Sequence, residues 1–299
     1  MQITMRDWLM LAALSVLWGG AFFFVAVAVQ EIPPLSLVLA RVGIACLTLF
    51  VYLKANRMTV PVDARVMLAF LTMGFFNNLI PFSLLFWAQT SISSGLASIL
   101  NATTPIFSIL VAHFVLADER MSANKIIGIL LGFGGVAILI GGNALHGIDT
   151  ATFGILACLG AALSYGIASV YGRRFRAMGM APGVGAFGQL AATTVMMIPI
   201  VLLIDQPWTL PLPGIGAIGA TLSLAVASTA LTYLLYFRLL ANTGAVNAAL
   251  VTLLIPLSAI LLGTVFLNET LEPRHLLGMA FILTGLISVD GRVLAKFQS

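Results

Sequence analysis

The chain has 299 residues, of which 61% are hydrophobic and 8% are charged, and its mean hydropathy is +1.10. Soluble domains are about one quarter charged, so a chain this apolar could not cover its surface in water, and its main solvent partner must be lipid. The basic pI, near 9.4, does not indicate nucleic acid, because the placement of the basic residues explains it.

Apolar runs of membrane-spanning length follow one another along the chain, with short polar breaks between them. Helices are predicted at residues 7–29, 34–53, 65–87, 94–116 and 124–142, and again at 153–173, 182–204, 214–239, 244–267 and 274–294. We therefore predict an all-α membrane protein with ten transmembrane helices.

The basic residues predict the orientation of these helices. With the N-terminus in the cytoplasm, every Lys and Arg falls on the inner side except Arg41, inside helix 2, and Arg274, on the outer side. Cytoplasmic loops carry an excess of basic residues. Both termini are therefore predicted to be cytoplasmic, in the plasma (inner) membrane.

The two halves of the chain resemble each other at an offset of about 150 residues. The matches are Trp18-Gly19 with Tyr165-Gly166, Leu84-Leu85-Phe86-Trp87 with Leu234-Leu235-Tyr236-Phe237, and Glu119, Gly128 and Gly135 with Glu269, Gly278 and Gly285. Residues 1–145 and 150–295 are predicted to be two repeats of five helices each. Because five is odd, the second repeat must be inverted in the membrane, as is characteristic of secondary transporters.

Several short motifs carry a resemblance to a known family, namely Leu17-Trp18-Gly19, Pro33-Pro34, Arg41, Pro256, Glu269, Gly278 and Gly285. The chain is similar over its whole length to ten-helix members of the drug/metabolite transporter superfamily built from two EamA-like repeats. The resemblance implies export of small metabolites, among them amino acids, and favours the aromatic kind.

Two aromatic residues are candidates for solute contact. Trp18 lies in the middle of helix 1, and its repeat partner is Tyr165. Rings with polar groups at matched depths suit a central cavity that stacks on an apolar solute. The alternative is helix packing, with the N–H or O–H bonded to a neighbour.

Helices 3 and 4 share one polar motif, an asparagine four residues before a proline. Asn77 precedes Pro81 by four residues, and Asn101 precedes Pro105 by four. Each proline frees the carbonyl of its asparagine, and that carbonyl needs a partner in hydrocarbon. The partner is a helix neighbour, water or the ammonium group of a solute. Asn78 widens the polar face of helix 3.

Prolines also indicate possible hinges. Pro105 and Pro256 fall near the middles of the equivalent helices 4 and 9, and paired interruptions point to a transport pathway. Pro81 is a third candidate hinge. Simple kinks for packing are the alternative.

Arg41 is a strongly basic residue well inside a span, where arginine costs roughly 2.5–3.5 kcal/mol on insertion scales. It could bind a solute carboxylate. Alternatively, it extends to the outer interface or bonds a carbonyl.

The second half offers Gln189, which replaces Arg41 at the matched position, together with Tyr233 and Asn247. Each could contact solute or bond a neighbouring helix. For Glu119 and Glu269, at matched loop positions, helix capping is the favoured role.

The sequence lacks the motifs of nucleotide binding, metal binding and enzymatic catalysis. Gly214-Ile215-Gly216-Ala217-Ile218-Gly219 fits a dinucleotide fingerprint, but it has no preceding strand. There is no GxxxxGK[ST] sequence for ATP, and no spacing typical of a metal site or a cofactor. No intramembrane cluster of nucleophile and base indicates an enzyme.

The sequence, together with the family resemblance, therefore predicts a secondary transporter that exports small metabolites, with apolar or aromatic amino acids as the favoured solutes, by alternating access around a cavity lined by helices 1, 3, 4, 6, 8 and 9. All carboxylates fall in loops or at helix ends, which predicts transport that is weakly coupled or uncoupled to protons. The alternative is a multidrug carrier for organic cations.

Overall fold

The fold was taken from a computed structural model that describes residues 4–116, 121–141, 149–248 and 250–290. These residues form ten apolar helices. The helices are α1 (Met5–Ala28), α2 (Pro34–Ala55), α3 (Ala64–Ala88), α4 (Ser94–Val115), α5 (Ala123–Ile140), α6 (Thr150–Tyr171), α7 (Pro182–Ile204), α8 (Ile215–Ala225, Val226–Leu231 and Thr232–Ala248), α9 (Leu250–Phe266) and α10 (Pro273–Asp290).

Eight of these helices are long and apolar enough to cross a bilayer, and α9 and α10 are shorter apolar helices. The prediction of an all-α, ten-helix membrane protein is confirmed. The boundaries differ most between α8 and α9, where a turn is predicted over residues 240–243 but the helix continues to Ala248. There the hydroxyl of Thr243 donates to the carbonyl of Leu239 at 2.9 Å, a bond that helical backbone accommodates.

Local sequence explains where the helices begin. Side chains of Asp63, Ser93, Ser122 and Asp149 accept a hydrogen bond from the backbone N–H three residues later, which caps α3, α4, α5 and α6. Pro34 and Pro182 occupy the first turns of α2 and α7, where a proline loses no helical hydrogen bond.

The fifth helices of the two halves, α5 and α10, pack together through glycines. A Cβ atom added at Gly128 would lie 2.5 Å from the carbonyl oxygen of Gly285, and one added at Gly135 would lie 2.7 Å from that of Gly278. Gly128 is the repeat equivalent of Gly278, and Gly135 of Gly285. The two equivalent helices therefore run antiparallel, as an inverted repeat requires.

The first helix of each half packs against the fourth helix of the other half. Glycines permit both crossings, since an added Cβ at Gly19 would lie 2.9 Å from the amide nitrogen of Ala259, and one at Gly166 would lie 2.9 Å from the carbonyl carbon of Phe107. These glycines directly follow Trp18 and Tyr165. Each close crossing therefore fixes an aromatic residue near the centre of the bundle.

One cap also crosses between the halves. A carboxylate oxygen of Glu269 accepts from the backbone N–H of Ser94 at 2.8 Å, and the other accepts from the Ser94 hydroxyl at 2.9 Å. Glu269 thus caps α4, as predicted. Glu119 lies outside the described residues.

Candidate functional site

Two helices contain a π-helical turn, at Phe75–Leu79 in α3 and at Val226–Leu231 in α8. The two turns fall at equivalent positions of the repeats. Such turns occur frequently at functional sites. The turn in α3 contains Asn77 and ends two residues before Pro81, so it overlaps the predicted Asn77–Pro81 irregularity. The turn in α8 has no proline, and sequence reasoning missed it.

Hydroxyl groups bond the carbonyls around these turns, as buried backbone requires. Thr193 donates to the carbonyl of Gly74 at 3.0 Å, and Ser164 donates to that of Phe76 at 2.6 Å. In α8, Thr229 donates to the carbonyl of Leu224 at 2.8 Å. The cluster Ser228-Thr229 with Thr232 is the sequence signal that could have revealed the second turn.

The predicted break in helix 4 is present. The helix is interrupted at Ala102 and Thr103, just before Pro105. The carbonyl of Asn101, which Pro105 leaves free, accepts from the hydroxyl of Thr104 at 2.7 Å, so a local neighbour supplies its partner. Helix α9 is continuous through Pro256, and the two candidate hinges therefore differ in structure.

A cavity of about 460 Å³ lies where the two halves meet, a size typical of small-ligand sites. It is bordered by the predicted helices α1, α3, α4, α6, α8 and α9, and also by α2. Six of the predicted site residues line it, namely Trp18, Arg41, Asn77, Asn101, Tyr165 and Tyr233.

Arg41 is the charged residue of the cavity wall in the described part of the chain. Its side chain is 8% exposed. The Nε–H donates to the hydroxyl of Thr229 at 3.0 Å, and the guanidinium lies 3.8 Å from the ring centroid of Phe82. Arg41 therefore points into the bundle and does not extend to the outer interface. The ring face stabilises the buried cation.

Aromatic rings form much of the remaining wall. Trp18 contacts Tyr236 with ring centroids 5.3 Å apart, and Phe82 stacks on Phe86 at 6.2 Å. All four line the cavity. Phe82 and Phe86 were not predicted as site residues, although Phe86 is the repeat equivalent of Tyr236, and that match was the available signal.

Two predicted residues lie behind the wall. Gln189 accepts from the amide of Asn77 at 2.8 Å, and the amide of Asn78 donates to Thr193 at 3.2 Å. Asn78 and Gln189 are both buried and do not line the cavity. Their contacts join α3 to α7, which is the interhelical role considered as the alternative. The side chain of Asn247 lies outside the described ones.

Three polar atoms at the wall have no hydrogen-bond partner among residues 4–116, 121–141, 149–248 and 250–290. They are Oε1 of Gln89, Oδ1 of Asn101 and Oγ of Ser228. Buried polar atoms are normally paired. Their residues border the cavity, but the three atoms themselves are buried within its wall.

No group of three His, Cys, Asp or Glu side chains that could hold a metal ion occurs in the described part of the chain. Cys46 and Cys158 are free thiols. Cys158 is fully buried in the apolar core, where it packs as a small apolar residue.

A ten-helix bundle with an inverted internal repeat and a central, solute-sized cavity defines the class of multi-pass membrane carriers. The EamA-like transporter family matches the chain twice, over residues 6–141 and 152–289. The chain belongs to this family.

Relatives with transporter names align along nearly the whole chain. The uncharacterized transporter YoaV of Bacillus subtilis (strain 168) is 27% identical over 92% of this chain and 93% of its own length. The uncharacterized inner membrane transporter YedA of Escherichia coli (strain K12) is 27% identical, covering 93% and 89%. A probable amino-acid metabolite efflux pump of Escherichia coli (strain K12) is 26% identical, covering 96% and 95%.

A solved crystal structure shares the fold, with a TM-score of 0.66 and 19% identity over 98% of this chain and 99% of that one. Together, the family and the relatives identify a membrane transporter, and the prediction that the protein is not an enzyme is confirmed.

Proposed function

We propose that this transporter exports amino acids with apolar or aromatic side chains. The observation that carries the proposal is a cavity with one buried cation, Arg41, surrounded by aromatic rings, and no Asp or Glu among its described lining residues. Such a wall complements a carboxylate at one end of a solute and an apolar group at the other.

Each part of an amino acid has a matching group. The planar guanidinium of Arg41 presents N–H donors in a geometry that fits a carboxylate. The amide oxygen of Asn101 is buried in the wall without a partner among the described residues, and a rotation of this side chain would present it to the ammonium group. Trp18 and Tyr236 provide ring surface for an apolar side chain. The name of the Escherichia coli efflux pump supports the same solute class.

The alternative, a multidrug carrier for organic cations, fits the wall less well. A carboxylate in the site favours a bound cation, whereas a like charge disfavours it. Here the charged group of the described wall is the cation of Arg41.

The proposed mechanism is alternating access. Residues 1–145 and 150–295 form the two halves that move relative to each other, with Pro81, Pro105 and Pro256 as candidate hinges. Both termini face the cytoplasm in the inner membrane, and the solute gradient drives export without ATP. The antiparallel pairing of α5 and α10 supports this geometry.

Counterflow in reconstituted vesicles tests the proposal. Vesicles loaded with unlabelled L-phenylalanine should accumulate labelled L-phenylalanine, and the variant Arg41→Ala should lose about tenfold or more in apparent affinity, since hydrogen bonds to charged groups contribute about 1.5–3 kcal/mol. Arg41→Lys keeps the positive charge but lacks the paired N–H donors of the guanidinium, so its apparent affinity should lie between those of the wild type and Arg41→Ala. Counterflow of tetraphenylphosphonium but of no amino acid would favour the cation carrier instead.

A further inference from the structure

Equivalent residues of the two repeats bond the π-helical turn of the opposite half. Arg41 on α2 donates to Thr229 in the turn of α8 at 3.0 Å. Gln189 on α7 accepts from Asn77 in the turn of α3 at 2.8 Å. Arg41 and Gln189 occupy equivalent positions of the two repeats. Each contacts the other half in the same way, Arg41 through a cation and Gln189 through a neutral amide.

The hydroxyl of Thr229 is fixed as an acceptor toward Arg41. Its own proton is donated to the carbonyl of Leu224 at 2.8 Å, so only its lone pairs face the Nε–H of Arg41. Because this carbonyl lies five residues earlier, the bond belongs to the π-helical geometry of α8. The turn therefore determines which way the hydroxyl points.

Two contacts then fix the guanidinium. Thr229 accepts the hydrogen bond of Nε–H, and the guanidinium carbon lies 3.8 Å from the ring centroid of Phe82. Thr229 is the only hydrogen-bond partner of this side chain within the described residues. The terminal N–H groups, which form the fork that recognises carboxylates, are left for a ligand in the cavity.

We propose that Thr229 is a positioning residue for substrate selection: by binding Nε, it orients the fork of Arg41 into the cavity and sets the preference for solutes that carry a carboxylate. This inference rests on the proposed function. It assigns to the π-helical turn of α8 a role in recognition that the equivalent turn of α3 does not have.

The α3 side provides the matched comparison. Thr193 is a fully buried threonine that donates to the carbonyl of Gly74 and accepts from Asn78. It supports the turn of α3 as Thr229 supports that of α8, but it does not line the cavity. Its loss should affect folding or turnover without changing the preference for ligands that carry a carboxylate over ligands that lack one.

The test measures dissociation constants by thermal shift on the purified full chain, with L-phenylalanine and L-phenylalaninamide as probes. The amide lacks the carboxylate, and the ratio of the two constants reports carboxylate selectivity. Thr229→Val keeps the shape and removes the acceptor, so this ratio should fall roughly tenfold. Thr229→Ser keeps the acceptor and should retain the ratio, and Thr193→Val should retain it as well.

Two outcomes overturn the inference alone. One is an equal loss of affinity for both probes in Thr229→Val, which would show a merely structural role. The other is a comparable fall of the ratio in Thr193→Val. If Thr229→Val does not fold, Thr229→Ala carries the same test. A wild-type protein that binds neither probe, or that shows no preference for phenylalanine, would overturn the proposed function itself.

Discussion

The crossing of α5 and α10 allows a stability prediction from measured distances. In Gly135→Ala the new Cβ would lie 2.7 Å from the carbonyl oxygen of Gly278 and 2.8 Å from Cγ1 of Ile282, whereas ordinary contact begins at 3.4 Å. Because one of these neighbours is backbone, the two helices must separate by several tenths of an ångström. Overpacking of this kind costs about 1–3 kcal/mol.

The matched control is Gly219→Ala in α8. An added Cβ at Gly219 meets no atom within 4 Å, and alanine is favoured over glycine in a helix by about 1 kcal/mol. Thermal unfolding in detergent should therefore show a lower midpoint for Gly135→Ala and an unchanged or higher one for Gly219→Ala. Similar midpoints for the two variants would refute the antiparallel glycine contact.

Three further predictions concern the site and its surroundings. Trp18→Ala should reduce the preference for phenylalanine over alanine roughly three- to tenfold in competition assays, because an aromatic contact contributes about 0.5–1.5 kcal/mol; an unchanged preference would contradict a stacking role. Glu269→Gln should lower the unfolding midpoint by weakening the cap of α4 at Ser94, a loss of about 1 kcal/mol. The control is Glu272→Gln, which removes an exposed ion pair with Arg274 and should change the unfolding midpoint little. Equal changes of the midpoint in the two variants would argue against the cap. An imposed proton gradient should not drive accumulation of L-phenylalanine against its own gradient, because no Asp or Glu occurs among the described lining residues; accumulation that an uncoupler abolishes would show coupling.

Much of the fold follows from the sequence because lipid imposes a strict requirement. Each span must be apolar over about 20 residues, so the ten helices can be read directly from the chain. The repeat can also be recognised from the sequence, because the same glycine spacing occurs in both halves. These glycines, Gly128, Gly135, Gly278 and Gly285, permit the close contact between α5 and α10. A similar argument applies to Trp18 and Tyr165, each followed by a glycine at a helix crossing.

The missed features depend on contacts between distant segments. Hydropathy does not distinguish Phe82, which lies under Arg41, from phenylalanines that face lipid. The π-helical turn of α8 contains no proline, and only its hydroxyl groups mark it. Asn77 and Asn78 are adjacent in sequence, yet only Asn77 lines the cavity, because one residue of rotation turns Asn78 toward α7.

Access to the cavity from both sides of the membrane is the most direct test of the central claim. Thr104 is half-buried at the break in α4 and lines the cavity, and Thr104→Cys can be studied after Cys46 and Cys158 are replaced by alanine. A membrane-impermeant thiol reagent should label this cysteine in both right-side-out and inside-out vesicles, and L-phenylalanine should slow the labelling from each side. Labelling from one side only, or labelling that phenylalanine does not affect, would contradict a carrier that binds its solute between two alternating halves.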